Sequence, residues 1–461
     1  MGEQVVAPVV VIGAGPVGLA AAAHLAERGL DFVVLESGAG VAAAIGEWRH
    51  VKLFSPWRYD LDSAARRLLE AGGWSAPDLG TLPTGGELID AYLEPLTKLP
   101  QLNDRIRYGA EVVAITRVGF DRIRTAGRED APFLIRLADG TELLASSVID
   151  ASGTWRKPNV LGASGIPARG ETSISRGVAR ALPDVLGADR ERYAGRRTAV
   201  VGAGHSAATT LLDLGRLAEE VPGTEIVWVV RGTDQARTYG GGDADELPAR
   251  GALGSRLKKL VQSGQVELVS SFRIESVSTS NGRIELRSGE RTVSADTVVK
   301  STGFRPDHDI VAELRLDLDP VLGSTRALAP LIDPNQHSCG TVPPHGVDEL
   351  THPEPGYYAI GAKSYGRAPT FLLATGYEQA RSVVAALAGD WESARDVQLD
   401  LPETGVCSSN LAFGESAEAG SCCGPTPQAV ELTTPAARGL ATGISGGLLT
   451  VIEDKQSGCC N

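Results

Sequence analysis

Cysteine is missing from the first 338 residues of this 461-residue chain, although the whole chain contains six cysteines. Five of the six lie after residue 400. A secreted fold stapled by disulfides would distribute its cysteines through the core, so this distribution argues against that class of protein. We therefore expect a cytoplasmic protein whose thiols are gathered at one end.

Long apolar runs, a targeting signal and an excess of positive charge are missing as well. Every stretch of ~20 residues contains glycine, proline or a charged residue, so no membrane-spanning helix is predicted. The N-terminus carries Glu3 in place of a basic region, which argues against a signal peptide. The net charge of −13 gives no support for binding nucleic acid or an anionic membrane surface. We expect neither of these as a partner.

Residues 8–36 contain the pattern around which the chain is organised. The apolar run 9–12 is typical of a strand buried on both faces, and a glycine-rich turn, a helix and a second strand follow it. The glycines have G-x-G-x-x-G spacing, which permits a tight turn, a close approach to a pyrophosphate and close helix packing. Glu36, about 20 residues further on, can accept hydrogen bonds from a ribose. This order of elements predicts a dinucleotide site.

A second unit at residues 196–232 repeats this order of elements. Gly202 and Gly204 open its turn, and Ala207 takes the place of the third glycine. Here the second strand ends in Arg231, and a guanidinium pairs with a 2′-phosphate where an acid would bind a free ribose hydroxyl. The first unit therefore favours FAD and the second NADPH. A solvated charge at the end of a strand remains the alternative for Arg231.

The two units predict an α/β protein with two Rossmann-like dinucleotide-binding domains, the second inserted in the first. DASGT at 150–154 and STGF at 301–304 resemble each other, as expected if each domain closes with the same strand and turn. We predict an FAD-binding domain whose first part is 1–190, an NADPH-binding domain at 191–305, the second part of the FAD-binding domain at 306–395, and a flexible cysteine-containing tail at 396–461.

Together these motifs resemble the flavoproteins with two dinucleotide-binding domains, which include flavin-containing monooxygenases, thioredoxin reductases and glutathione-reductase-like enzymes. The resemblance covers about residues 8–390. G-E-W at 46–48 and the GAGHSA form of the second motif are similar to the monooxygenase branch. No cysteine pair lies in either domain, so the disulfide-reductase mechanisms of the superfamily lack their residues. Two features depart from the pattern: the monooxygenase signature Phe-x-Gly-x-x-x-His is missing, and Gly361-Ala362-Lys363 replaces a late Gly-Asp pair.

The resemblance implies FAD and NADPH as cofactors. The last helix opens near Gly376 and Gln379, and its dipole is expected to stabilise reduced flavin. For His205 a structural or NADPH-facing role is favoured over acid–base chemistry. The expected cofactor-binding residues are Gly13, Gly15, Pro16, Gly18, Glu36, Trp48, Val113, Ser152, Gly153, Gly202, Gly204, His205, Ser206, Arg231, Thr302, Gly303, Gly361, Gly376 and Gln379.

Candidate catalytic residues follow the FAD acid where the chain is expected to cross the flavin ring. They are Trp48, Ser55, Trp57 and Arg58, in a segment dense in aromatics for a protein with only 5% aromatic residues. Arg58 is a candidate for contacting an oxygen species or an NADP phosphate, and a surface ion pair is its alternative. Ordinary packing beneath a loop is the alternative for the aromatic residues.

The tail contains two pairs of adjacent cysteines, which are Cys422, Cys423, Cys459 and Cys460. Thiolates are soft ligands, so these pairs are candidates for binding a thiophilic metal(loid) such as Hg(II) or trivalent arsenic. The terminal GCCN is similar to the C-terminal cysteine pair of mercuric reductase. An incidental tail without function is the alternative.

The leading hypothesis is an FAD-dependent NADPH oxidoreductase of the flavin monooxygenase type, with a small-molecule substrate and molecular oxygen. The second is a flavoprotein oxidoreductase in arsenic or mercury detoxification, or in thiol redox, that uses the tail cysteines. A third is a nucleotide-sensing protein without turnover. A homodimer is a candidate assembly, since two-domain flavoproteins of this type often pair, and a monomer is the alternative.

Overall fold

The computed structural model describes residues 7–174, 176–240, 248–336, 342–369 and 371–397. Within them the chain forms two five-stranded parallel sheets, and each sheet is accompanied by a three-stranded antiparallel sheet. The α/β class and the two dinucleotide-binding folds expected from the sequence are confirmed.

The strands of the described residues are numbered in chain order. They are β1 (Val9–Ile12), β2 (Phe32–Leu35), β3 (Ile106–Arg107), β4 (Val112–Arg117), β5 (Phe133–Leu137), β6 (Glu142–Ala145), β7 (Ser147–Asp150), β8 (Val178–Ala179), β9 (Arg197–Val201), β10 (Glu225–Val229), β11 (Val266–Val269), β12 (Ser276–Ser280), β13 (Arg283–Ser288), β14 (Arg291–Ala295), β15 (Thr297–Lys300) and β16 (Tyr357–Ala359).

The α-helices are numbered in the same way, and several of them are single turns. They are α1 (Pro16–Glu27), α2 (Ala43–Gly46), α3 (Trp57–Asp60), α4 (Ser63–Ala71), α5 (Gly85–Leu88), α6 (Glu94–Thr97), α7 (Arg190–Tyr193), α8 (His205–Glu220), α9 (Ala236–Tyr239), α10 (Pro248–Gln262), α11 (Ala329–Ile332), α12 (Val347–Leu350), α13 (Leu373–Leu387) and α14 (Trp391–Arg395). A π-helical turn at Ile89–Leu93 lies between α5 and α6.

The first parallel sheet has the strand order β16-β7-β1-β2-β3. Side chains of its central strand β1 alternate between two cores. Val9 and Val11 pack with α1 and α13 on one face, and Val10 and Ile12 pack with β4–β6 on the other. Because both faces are covered, the strand is apolar along its whole length, and each buried valine contributes roughly 1.5–3 kcal/mol of transfer free energy.

The second parallel sheet, of order β11-β10-β9-β15-β8, is built in the same way. Ala199 and Val201 pack towards β12–β14, while Val200 packs with α8 and α10. The edge strand β8 pairs with β15 through Val178 and Ala179, so this sheet begins upstream of the boundary at residue 191 expected from the sequence.

The first domain is assembled from both sides of the second. Strand β16 follows the inserted domain and pairs in parallel with β7, which precedes it. The two crossing segments run alongside each other, since Pro158 and Phe304 form an antiparallel bridge and the Asn159 N–H donates to the Gly303 carbonyl at 2.9 Å. No helix in the described part of the chain is long and apolar enough to cross a membrane.

Candidate functional site

The first glycine loop leaves open space at the start of α1. Gly13 has φ +97°, and a Cβ on it would lie 2.8 Å from the Ala151 carbonyl oxygen. A Cβ on Gly18 would lie 1.9 Å from the Gly13 carbonyl oxygen, so close packing requires glycine there. Gly15, the N-cap residue of α1, has no atom within 4 Å of its Cβ position, and no described side chain caps the helix. The loop therefore presents an uncapped helix N-terminus with room for an anionic group.

Glu36 follows β2, and its carboxylate hydrogen-bonds to the backbone of this loop. Its Oε2 accepts the Ala14 N–H at 2.8 Å and its Oε1 accepts the Gly38 N–H at 2.7 Å, while the residue is only 7% exposed. An ionised carboxylate has about four acceptor directions, so these bonds leave capacity for a ribose hydroxyl. The acid that the spacing predicted lies beside the glycine loop.

The second glycine loop has the same geometry at the start of α8. Gly202 has φ +137°, and a Cβ on it would lie 2.0 Å from the Ser301 carbonyl oxygen, whereas Gly204 faces open space. The Trp228 indole N–H donates to the Gly202 carbonyl at 2.7 Å, and the Thr238 hydroxyl donates to the Ala203 carbonyl at 2.9 Å. Neither Trp228 nor Thr238 was predicted from the sequence. The only signal was a tryptophan among the aliphatic residues of β10.

Arg231 lies two residues beyond β10 and is exposed. It forms no ion pair with another described residue. Its guanidinium is therefore available to an anionic ligand. Arg197 of the same domain, by contrast, is paired with Glu225 and Glu267.

Aromatic side chains fill the junction between the two domains. The ring centroids of Trp48 and Trp155 are 6.3 Å apart, and those of Trp155 and Phe304 are 4.7 Å apart. Phe54 contacts the ring of His205, at the start of α8, with centroids 5.3 Å apart. Trp155 directly follows the closing motif DASGT, and Phe304 is the last residue of STGF; neither was predicted as a site residue.

The acid of the G-E-W segment forms an ion pair across this junction. Glu47 pairs with Arg180 of the second domain at 2.8 Å. The Arg180 guanidinium lies 5.7 Å from the centre of the Trp155 ring and donates to the Trp155 carbonyl at 3.2 Å. Because both partners are about half exposed, this pair contributes at most about 1 kcal/mol to stability.

The Gly361-Ala362-Lys363 turn places a lysine in the core. Lys363 Nζ lies 2.6 Å from Asp150 Oδ2 with both side chains fully buried, and it also donates to Ser152 Oγ at 3.2 Å. The Tyr357 hydroxyl donates to the same carboxylate at 3.0 Å. Burial opposes ionisation of Asp150, but Lys363 and Ser152 outweigh it and hold the pKa of this carboxyl below its usual value.

Gly376 and Gln379 lie in α13 and contact neighbouring elements of the first domain. Gln379 is fully buried, and its Oε1 accepts the Gly361 N–H at 2.8 Å. Its amide nitrogen contacts His345 Nε2 at 3.0 Å. A Cβ on Gly376 would lie 2.5 Å from Val17 Cγ2, so this glycine lets α13 approach α1.

The candidate catalytic residues after Trp48 lie in different surroundings. Trp57 is 4% exposed and belongs to the core of the first domain. Arg58 is exposed, with its guanidinium 5.1 Å from the centre of the Tyr59 ring. The Ser55 hydroxyl donates to Asp60 Oδ1 at 2.7 Å, and burial raises the pKa of Asp60 to about 7 despite that bond. Asp60 carried no signal in the sequence.

The remaining predicted residues lie on turns, in the first turns of helices and on a strand. Ser152 N–H and Oγ both donate to Asp150 Oδ1, and Gly153 has φ +69°. The Thr302 hydroxyl donates to the Asn159 carbonyl at 2.9 Å, which joins the crossing segments. Other placements are Pro16 at the first position of α1, Ser206 in the first turn of α8, Gly303 with φ +82°, and Val113 on β4 with 43% exposure.

The four tail cysteines lie outside the described residues. Within the described ranges, no group of three or more His, Cys, Asp or Glu side chains is arranged to hold a metal ion.

A family model described as pyridine nucleotide-disulphide oxidoreductase matches residues 10–338, which is more than half of the chain. The chain belongs to the pyridine nucleotide-disulphide oxidoreductase family. It is therefore an oxidoreductase, and the superfamily suspected from the sequence is confirmed. The family's description refers to disulfide chemistry, but the first 338 residues of this chain contain no cysteine.

Two proteins with sequences similar to this chain are named for different reactions, one as a monooxygenase and one as a reductase. Indole-3-pyruvate monooxygenase YUCCA1 of rice (Oryza sativa subsp. japonica) is 30% identical over 208 residues, which cover 45% of this chain and 45% of the rice protein. Bacilliredoxin reductase Bdr of Bacillus subtilis is 23% identical over 319 residues, which cover 68% of this chain and 82% of that protein. The chain thus matches less than half of the length of the rice relative.

Solved structures show the same architecture. Bacillithiol disulfide reductase Bdr (YpdA) from Bacillus cereus aligns with a TM-score of 0.60 at 17% identity, covering 83% of this chain and 99% of that one. At this identity the likeness establishes the fold that the two share.

Proposed function

We propose that this protein is an FAD- and NADPH-dependent oxidoreductase of the monooxygenase type, which oxygenates a small molecule with molecular oxygen. The observation that carries this proposal is the pair of glycine loops. Each loop places a glycine with free space at the N-cap of a long helix, while Glu36 accompanies the first loop and Arg231 the second.

The first loop fits FAD. Gly15 leaves room for a pyrophosphate at the uncapped start of α1, and Glu36 retains acceptor capacity for a ribose. When bound, FAD supplies hydride acceptance and electron transfer to the acceptor. The chain's own contribution is to orient the cofactor and to keep water from the domain junction, where Trp48, Trp155 and Phe304 supply apolar ring surface.

The second loop fits NADPH. Gly204 leaves the same kind of space at the start of α8, and the exposed Arg231 is available to a 2′-phosphate. His205 is exposed beside Phe54, so it lies where the second loop meets the first domain.

The oxygenase type is supported by two further observations. The rice relative, at 30% identity, is named as a monooxygenase. No cysteine occurs among the residues that build the two nucleotide loops and the junction. A disulfide built from these residues is therefore not available as the acceptor.

The test is to load the protein with FAD and to measure NADPH and oxygen consumption together with product. Indole-3-pyruvate, named in the rice relative, is the first compound to examine. We expect one oxygenated product per NADPH for a suitable small molecule. Consumption of NADPH that yields only hydrogen peroxide with every compound tested would contradict the oxygenase type.

The second candidate function is thiol redox or metal(loid) detoxification through the tail. It is supported by the relative named as bacilliredoxin reductase and by the two cysteine pairs of the sequence. Replacing Cys422, Cys423, Cys459 and Cys460 with serine is expected to abolish binding of trivalent arsenic or Hg(II) at one equivalent. Unchanged binding would remove this candidate.

A further inference from the structure

A buried carboxylate with one oxygen that lacks a hydrogen-bond partner among the described residues lies at the end of α3, in the first domain. Asp60 is fully buried. Its Oδ1 accepts the Ser55 hydroxyl at 2.7 Å, whereas its Oδ2 has no hydrogen-bond partner among the described residues. Buried polar atoms are normally paired, so an unpaired carboxylate oxygen requires a specific explanation.

The groups around Asp60 do not supply the missing partner. On α4, Asp62 caps the helix and contacts His24 of α1 at 3.1 Å, so these two groups satisfy each other. The Tyr92 hydroxyl accepts the Asp62 N–H, and the Tyr377 hydroxyl of α13 donates to the backbone carbonyl of Asp60. No described cation pairs with the Asp60 carboxylate. Burial therefore raises its pKa to about 7, where a carboxyl exchanges its proton readily at neutral pH.

The partner of this acid, Ser55, is the chain neighbour of a junction residue. The residue is half-buried, and it directly follows Phe54, whose ring contacts His205 at the start of the second nucleotide loop. A serine hydroxyl has one donor and two acceptor positions, and its hydrogen rotates to suit its partners. Ser55 can therefore receive a proton from Asp60 and pass its own proton outward.

The reaction proposed above consumes a proton with any acceptor. Reduction follows NADPH + H⁺ + A → NADP⁺ + AH₂, and oxygenation follows NADPH + H⁺ + O₂ + S → NADP⁺ + SO + H₂O. Because the hydride carries both electrons, the proton must come from a separate group.

We propose that Asp60, acting through Ser55, is the proton donor for the acceptor half of this reaction. The inference rests on the proposed function and adds the group that supplies its proton. The Asp60 O–H bond breaks as a Ser55 O–H bond forms, and the former Ser55 proton moves to the reduced acceptor. Asp60 is left as a carboxylate that accepts the Ser55 hydroxyl, as in the structure, and then takes a proton from solvent. Asp60 is a positioning and storage group, since it is fully buried and bonds to the half-buried Ser55.

The experiment separates the two half-reactions of the FAD-loaded protein by stopped-flow absorbance. The flavin is first reduced anaerobically with NADPH and is then mixed with oxygen and substrate across pH 5.5–8.5. For the wild type we expect reoxidation to slow above a pH of about 7. Asp60→Asn and Ser55→Ala should be reduced by NADPH at the wild-type rate, but should reoxidise at least about tenfold more slowly and without this inflection. Asp60→Glu should restore part of the rate and the inflection.

Tyr377→Phe is the matched control, because it removes a hydrogen bond to the Asp60 backbone and leaves the carboxyl and Ser55 in place. It should keep the wild-type inflection. If Asp60→Asn does not fold, Ser55→Ala decides the question by the loss or retention of the inflection. Reoxidation of both variants as in the wild type at every pH would overturn the proposal. A wild type that NADPH does not reduce would instead overturn the proposed function.

Discussion

Lys363 and Asp150 form an ion pair in the core of the first domain, with Nζ 2.6 Å from Oδ2 and neither side chain accessible to solvent. The lysine belongs to the Gly361-Ala362-Lys363 turn, which stands in place of the late Gly-Asp pair of related flavoproteins, and the partner carboxylate belongs to the closing motif DASGT. The pair joins β7 to the turn after β16, so it ties together the two parts of the domain that the inserted domain separates.

Removing the lysine alone should destabilise the protein severely. In Lys363→Met the Asp150 carboxylate remains buried with only Tyr357 and Ser152 as partners. We expect a loss of about 3–5 kcal/mol in the free energy of unfolding, measured by urea denaturation of the FAD-loaded protein. The double variant Lys363→Met/Asp150→Asn should recover much of this loss, because no uncompensated charge remains. Equal losses in the single and double variants would contradict a charge-based origin.

Replacing two glycines of the first loop with alanine should affect different properties, FAD binding at Gly15 and stability at Gly18. Gly15→Ala adds a methyl group to open space, so the free energy of unfolding of the FAD-free protein should change by less than about 0.5 kcal/mol. The methyl group should nevertheless occupy the pyrophosphate position and weaken FAD binding at least about tenfold. Gly18→Ala places a Cβ 1.9 Å from the Gly13 carbonyl oxygen and should cost about 3 kcal/mol or more in stability. Fluorescence titration with FAD and thermal unfolding measure both effects, and undiminished FAD binding by Gly15→Ala would refute the assignment.

Arg231 should set the preference between NADPH and NADH. Hydrogen bonds to charged groups contribute ~1.5–3 kcal/mol, so Arg231→Ala should raise the KM for NADPH roughly 10- to 100-fold. The KM for NADH should change little, and the difference should shrink at high ionic strength. Arg287→Ala, which removes an exposed arginine from β13, is the matched control. Parallel changes for both nucleotides would argue for a general loss of fold.

His352 should make the protein less stable in acid. Burial, together with the nearby His308, lowers the pKa of His352 from 6.5 to about 4. Between these values the unfolded chain binds the proton and the folded chain does not, so stability is intact above pH 6.5 and falls as the pH drops to about 4. The full loss is about 3 kcal/mol. His352→Asn, whose side-chain oxygen can accept the Asp317 N–H that now bonds to Nδ1, should lack this component in denaturation curves recorded from pH 7 to 4.5. A variant with the wild-type pH dependence would rule out His352 as its source.

The parts of the site that could be predicted are those encoded by adjacent residues. Both glycine turns lie where the spacing placed them, because the positive φ of Gly13 and Gly202 and the strand before each are local properties. The parts that could not be predicted depend on remote partners. The contact of Gln379 with the Gly361 N–H, for example, joins residues 18 positions apart that lie on different elements. Trp155 and Phe304 were not selected, because their contact joins segments on either side of a whole domain.

The sequence by itself determined the family, the two nucleotide loops and the sign of the charge that accompanies each, since turns and strand ends depend on neighbouring residues. Only the tertiary structure decided which buried charges meet. Lys363 pairs with Asp150, which lies 213 residues away in the chain. Asp60 is buried with one carboxylate oxygen bonded to Ser55 and the other without a hydrogen-bond partner among the described residues. Burial and ion pairing are set by how distant elements pack, and no local pattern of residues records them.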